Sequence, residues 1–260
     1  MPSSPRAHRR RLTWIAVGGG AAAAVALAAA LGGGSGDSVS RDRPAAAVSP
    51  SAAVSPSAAV SPSADGATPD EQQKSLLALA RRDQKDPLAL GRADAPVVLI
   101  AYEDFQCPFC GKFARETKPE LVRSYVDKGL LRIEWRNFPV FGAESERVAR
   151  ASWAAGRQGR FWQFHDVAYA EERPRNKGAF SSSRLREMAR EAGVADLDRF
   201  EADLKSQAAE VSVSRDQEEG YALGVSSTPA FLVNSTPVLG AQPLSTFTAA
   251  VEKAAKEAGR

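Results

Sequence analysis

Cysteine and histidine are scarce in this chain, with two of each among 260 residues. A structural zinc site takes about four ligands. Besides Cys107 and Cys110 only His8 and His165 are on offer, and an apolar segment separates His8 from the rest. A tetrahedral metal site within one chain is therefore not expected. No cysteine stands directly after that apolar segment, so a lipid-anchored lipoprotein is not expected. Excess charge is lacking too: the net charge is +3, and Arg6, Arg9, Arg10 and Arg11 account for most of it. Elsewhere basic and acidic residues interleave, as over 187–191, which is the pattern of a solvated helix rather than a nucleic-acid surface.

Long uncharged apolar stretches are equally rare. The N-terminal one, Leu12 to Leu31, runs twenty residues without a charge, the length of one membrane-spanning helix. With the basic cluster before it, the positive-inside rule predicts residues 1–11 in the cytoplasm, an anchor over 12–31 and everything after it outside. The alternative is a cleaved signal peptide, with small-residue cleavage sites around 26–30. Arg9-Arg10-Arg11 also raises a twin-arginine export signal. Residues 32–69 then turn to Gly, Ala, Ser, Val and Pro, with Ala-Ala-Val-Ser-Pro-Ser repeated at 46–51, 52–57 and 58–63. Such a composition buries too little apolar surface to fold, so a disordered, extended spacer is predicted. About 35 residues at roughly 3.1 Å each would reach on the order of 100 Å.

The folded region is predicted over 70–260. Leu76, Leu77 and Leu79 mark a lead-in helix over 70–86, ended by Pro87. Pro96 to Tyr102 is a nearly continuous apolar run, the mark of a strand buried on both faces. Cys107-Pro108-Phe109-Cys110 follows it directly. Behind it Phe113, Thr117, Leu121 and Tyr125 recur at helical spacing, with a kink at Pro119 and a C-cap at Gly129. Leu130 to Phe138 alternates apolar and charged residues and reads as a second strand. Strand, helix and strand in this order make a βαβ unit with a parallel pair.

Residues 143–224 read as helical. One helix lies around Ala149 and Trp153, a second around Phe161 and Phe164, and a third around Leu185 and Met188. A fourth is led into by Phe200, Leu204 and Gln207. The aromatics of the second helix and His165 are expected in the core rather than at a binding surface. Ala230–Val233 and Pro237–Leu239 flank a turn at Asn234-Ser235, giving a hairpin. Leu244, Phe247, Val251 and Ala254 form the stripe of a closing helix.

Two thiols two residues apart at a helix start can close into a disulfide with little backbone movement. The unpaired N–H groups of the first turn favour a thiolate at Cys107. A purely structural bridge is a poor alternative, because so short a loop removes little entropy from the unfolded chain. Thiol-disulfide exchange is the chemistry this pattern points to.

The order βαβ, helical block, ββα resembles the thioredoxin fold with an inserted helical subdomain (α/β), as in the DsbA-like disulfide oxidoreductases. Four blocks carry the resemblance: Ala93-Asp94-Ala95-Pro96-Val97, Asp104-Phe105-Gln106-Cys107-Pro108-Phe109-Cys110, Ser227-Thr228-Pro229-Ala230 and Gly240-Ala241-Gln242-Pro243. It implies Cys107 as the exposed attacking thiol and Cys110 as the resolving one, with Pro108 and Phe109 between them. It also implies that Thr228-Pro229 faces them with Pro229 in cis, so that the residue before it offers its backbone to an extended substrate.

Relatives carry a buried acid six residues before the first cysteine. Here that position is Ala101, so Glu103 or Asp104 stands in, unless both are surface carboxylates. Phe109 occupies the place of a histidine found in the most oxidising relatives. The Cys107 pKa should therefore fall below the free value of about 8.5, but less far than theirs.

The function implied is an extracytoplasmic oxidase for the cysteines of exported proteins, monomeric and free of cofactor and metal. A DsbB-like or vitamin K epoxide reductase-like membrane partner would re-oxidise it. The rivals are a reductase or isomerase of the same fold and a non-catalytic client-binding module.

Overall fold

The computed structural model describes residues 68–259. The predicted basic segment 1–11, the anchor at 12–31 and the repeat spacer lie outside the described residues. Among the described residues no helix is long and apolar enough to cross a membrane.

Helix α1, Pro69–Leu77, starts at a reciprocal cap: Thr68 Oγ1 accepts from Glu71 N at 3.3 Å and Glu71 Oε2 accepts from Thr68 N at 2.8 Å. This capping box satisfies two of the N–H groups that a helix start leaves without partners. The helix is shorter than the predicted 70–86. Arg81 and Arg82 donate their backbone N–H groups to the Glu134 carboxylate at 2.9 and 2.8 Å, and Arg82 turns to φ +48°. These donors are taken by a side chain from across the fold, so they do not continue a helix.

Five strands form one sheet in the order β1-β3-β2-β4-β5: β1 is Ala89–Leu90, β2 Val97–Glu103, β3 Leu131–Asn137, β4 Ala230–Val233 and β5 Thr236–Leu239. The pair β2 and β3 is parallel, with Leu99 opposite Ile133, and the other pairings are antiparallel. The two-residue edge strand β1 was not foreseen, being too short to show a pattern. Every residue of β2 is buried, as its apolar run predicts. Leu99, Ala101, Ile133, Phe231 and Val233 pack one face against Phe113, Leu121, Phe247 and Val251.

The other face carries Val98, Ile100, Tyr102, Phe138 and Leu232. The charged residues of β3 are buried as well. Glu134 takes Arg132 Nε at 2.8 Å and Arg136 Nη2 at 3.0 Å, and Arg136 Nε reaches Glu219 Oε1 at 2.7 Å.

The helix after Cys107 is not one kinked α-helix. It alternates α2 (Pro108–Lys112), a π stretch (Phe113–Thr117), α3 (Lys118–Leu121) and a second π stretch (Val122–Val126). Lys118 N–H reaches back five residues to Phe113 O. This widened turn precedes Pro119, which has no N–H to give. Gly129, at φ +70°, then turns the chain into β3.

The region predicted as four helices holds five: α4 (Ala143–Gly156), α5 (Phe161–Tyr169), α6 (Ser182–Glu191), α7 (Leu197–Leu204) and α8 (Gln207–Ala222). Phe200 and Leu204 thus belong to a different helix from Gln207. Ser206 separates them as an N-cap, accepting from Ala209 N at 3.2 Å. Phe161, Phe164, Phe180, Leu185, Met188 and Phe200 build this subdomain's core around Trp135 of the sheet. Gly220 lets α8 lie close on the sheet, since a Cβ there would meet Phe138 at 2.6 Å. The hairpin forms as predicted, and α9 (Leu244–Glu257) closes the chain.

Candidate active site

The C-terminal end of β2 delivers Glu103, and the turn Asp104-Phe105-Gln106 carries the chain to Cys107, the N-cap of α2. The Cys107 N–H closes this turn on Asp104 O at 2.9 Å. Both cysteines are free thiols. Cys107 was expected to be exposed, but the residue is only 3% accessible. Its Sγ donates to the Thr228 carbonyl at 3.2 Å, and the Thr228-Pro229 peptide is cis. This loop thus covers the sulfur, a relation between distant segments that spacing does not reveal. A cleft of about 320 Å³ opens beside Cys107, its lining including Phe105, Pro108 and Tyr169 together with the charged Arg115, Glu172 and Arg173. Phe109 points outward, 60% exposed.

The two thiols sit in opposite environments. The Cys110 thiol donates to Cys107, which is the largest cause bringing the Cys107 pKa down from 9.0 to about 6. Burial opposes this, while the Thr228 side chain and the N–H groups of Cys110 and Phe109 add to it. The Thr228 hydroxyl is buried and makes no hydrogen bond among the described residues. Cys110 is wholly buried. Burial, its hydrogen bond to Cys107 and the nearby Glu103 charge push its pKa well above the ordinary value.

Neither candidate acid is a surface carboxylate, as both Glu103 and Asp104 are buried. They differ in occupation. Asp104 accepts Gln106 N at 2.7 Å, Val140 N at 2.6 Å, Phe141 N at 3.2 Å and Ser145 Oγ at 2.7 Å. Its burial raises its pKa, and those bonds pull the other way. Its role is to hold the turn. Glu103 Oε2 has no hydrogen-bond partner among the described residues. Burial pushes its pKa well up, the charge of Lys118 opposes this, and the charge of Cys107 adds to the rise. A carboxyl placed this way can hold a proton near the buried thiol.

Lys118 was missed in the sequence. Its Nζ lies 3.2 Å from His165 Nδ1 and pairs with Asp166 Oδ1. Burial and the Lys118 charge bring the His165 pKa down to about 4. His165 is therefore a neutral packing residue, as expected. The available signal was that Lys118 stands eight residues after Cys110, on the helix side that carries the apolar stripe. Among the described residues no group of three or more His, Cys, Asp or Glu side chains is placed to hold a metal ion.

The family model described as Thioredoxin matches residues 83–253. The chain is 31% identical over 149 residues to a "Probable disulfide bond formation protein D" of Bacillus cereus, spanning 56% of this chain and 69% of that one. It is also 32% identical over 166 residues to a Na(+)/H(+) antiporter NhaA 1 of Salinispora arenicola, covering 63% of this chain and 24% of that one. Among solved structures, oxidised BdbD of Bacillus subtilis superposes with a TM-score of 0.62 at 22% identity, over 66% of this chain and 94% of that one, a likeness of fold. With a strand-to-helix Cys-x-x-Cys facing a cis-proline loop, and with these relatives, the chain belongs to the thioredoxin family and is a thiol-disulfide oxidoreductase.

Proposed function

We propose that this protein works outside the cytoplasmic membrane as an oxidase of exported proteins, anchored through the apolar segment 12–31. The observation that carries the direction is the split between the thiols, with Cys107 lowered to about 6 and Cys110 raised. A stabilised thiolate favours the reduced enzyme, which makes the disulfide the better oxidant. A membrane setting is in keeping with the similar segment in the antiporter chain.

In the oxidised enzyme a substrate thiolate attacks Cys107 Sγ and the Cys107–Cys110 bond breaks. Cys110 leaves and takes a proton, which the protonated Glu103 supplies. A second substrate thiolate then attacks the substrate's own sulfur in the mixed disulfide and expels Cys107 as a thiolate. Two electrons pass to the enzyme, and the substrate gains one disulfide. A membrane-bound DsbB-like or vitamin K epoxide reductase-like partner takes the electrons on. Pro108 opens α2 directly behind Cys107, Phe109 stands exposed beside it for contact with a client, and Thr228 with Pro229 aligns the client backbone.

Trapping the thiols in growing cells tests the direction. A mostly oxidised Cys107–Cys110 pair is expected, and a mostly reduced pair would identify a reductase instead. Cys107→Ser should abolish exchange while Cys110→Ser accumulates mixed disulfides, and normal turnover by Cys107→Ser would overturn the assignment of the attacking thiol.

A further inference from the structure

Gln106, the residue before Cys107, is buried and bonded on every side. Its Nε2 donates to Ser145 Oγ at 2.8 Å and to Asn176 Oδ1 at 3.2 Å, and its Oε1 accepts Asn176 N at 2.7 Å. Its backbone N–H goes to Asp104 Oδ1 at 2.7 Å, and its carbonyl accepts Arg175 Nε at 3.2 Å. Both polar ends of the side-chain amide are thus held by the helical insertion.

The partners are held in turn. Arg175 and Asn176 lie in the irregular segment between α5 and α6. The Arg175 guanidinium lies 3.8 Å from the centre of the Phe141 ring, and Asn176 Nδ2 donates to Phe141 O at 3.0 Å. Asn176 adopts φ +54°, a left-handed conformation that asparagine tolerates and most side chains resist. Two residues on, Glu144 of α4 accepts Gly178 N at 2.7 Å and Phe180 N at 3.1 Å. The same segment supplies Glu171, Glu172, Arg173 and Pro174 to the wall of the cleft beside Cys107.

We propose that the 171–176 segment of the insertion positions the attacking thiol through Gln106, making Gln106 and Asn176 positioning residues of thiol-disulfide exchange. This rests on the reading of Cys107 as the attacking sulfur. In-line attack at a disulfide tolerates little error in sulfur position, and a shift of about 1 Å can cost on the order of a hundredfold in rate. The turn 104–106 is three residues long and has no regular structure of its own. Asp104 holds the start of this turn, and the clamp on Gln106 is the tie next to Cys107 that reaches the 171–176 segment. Asn176→Gly keeps the positive φ and the backbone bond to Gln106 Oε1 while deleting both side-chain bonds. Gln106→Met keeps the approximate side-chain volume and deletes all amide bonds.

The experiment compares the full chain, Gln106→Met, Asn176→Gly and Cys107→Ser in exchange with a dithiol peptide. The first three are titrated for Cys107 thiolate by ultraviolet absorbance with Cys107→Ser as the blank, and the folded fraction of all four is measured by circular dichroism. At equal folded fraction both clamp variants should lose about tenfold or more in rate, with the thiolate midpoint moved upward and Gln106→Met affected more. Wild-type rates with an unmoved thiolate midpoint would overturn the proposal, as would a loss that only follows the unfolded fraction. Failure of the underlying reading shows separately, as turnover by Cys107→Ser.

Discussion

Two carboxylates buried in neighbouring strands of the same sheet meet opposite fates. Glu134, in the middle of β3, accepts from Arg132, from Arg136 and from the backbone N–H groups of Arg81 and Arg82. Burial alone would raise its pKa, yet these donors carry it down to about 2. Glu103, at the end of β2, keeps an oxygen with no partner among the described residues and has its pKa driven well up by burial. The difference lies in donors, since both side chains are buried. A saturated carboxylate is a fixed charge that ties elements together. An undersupplied one is costly to ionise and so remains able to exchange a proton. In this fold the first arrangement holds the lead-in segment and α8 to the back of the sheet, and the second sits beneath the thiols.

The contrast can be broken most forcefully at Glu134. Glu134→Gln leaves two buried guanidinium groups short of their partner, which should cost about 3–5 kcal/mol by denaturant unfolding. A loss under about 1 kcal/mol would show that the network is not held by this charge. Next in size, Glu103→Gln should slow exchange on the order of a hundredfold at the step that releases Cys110 without lowering stability. An unchanged rate would remove Glu103 from proton transfer and leave the comparison one of burial alone.

Stability against pH sharpens the same point through opposite signs. The folded pKa of Glu134 is depressed, so its contribution is present above the ordinary carboxylate value of 4.5 and is lost as pH falls toward about 2. Glu103 is raised, so the unfolded chain loses its proton first and the folded state is penalised as pH climbs above 4.5. Glu103→Gln should therefore gain on the wild type as pH rises from 4.5, while the Glu134→Gln deficit should shrink as pH falls below it. Parallel curves for the two variants would contradict the assignment. The smallest effect is expected for Tyr102→Phe, which removes one donor to Glu219 at 2.8 Å and should cost about 1 kcal/mol. Glu219 keeps Arg136 and Arg81, so a larger loss would mean that the network is less redundant than its bonds suggest.

Much of this arrangement was legible in the residues. The run over 96–102 marks a doubly buried strand because no polar side chain interrupts it. Cys107 to Cys110 marks the start of the next helix. The hairpin around Asn234-Ser235 and the stripe from Leu244 to Ala254 follow from period alone. What was not legible depends on donors and covers that come from far along the chain. Alternation over Leu131 to Asn137 is the mark of a strand with one wet face, but Arg81, Arg82, Asp216 and Glu219 arrive to bury the charged face. Glu103 and Asp104 are adjacent acids that sequence treats alike. They separate only because Val140, Phe141 and Ser145 supply Asp104 and leave Glu103 short.

By itself, then, the sequence determined local order and the reactive pair: period, caps, turn residues and two thiols at a helix start are short-range properties that neighbouring residues settle among themselves. Only the tertiary structure decided which of the two adjacent acids is left short of donors, and that Cys107 lies under the Thr228 carbonyl rather than in the open. The reason is that the cost of a buried charge depends on how many donors surround it. In this chain part of that supply is local, as from Arg132 and Arg136 to Glu134, and the rest comes from segments tens of residues away, as from Arg81 and Arg82.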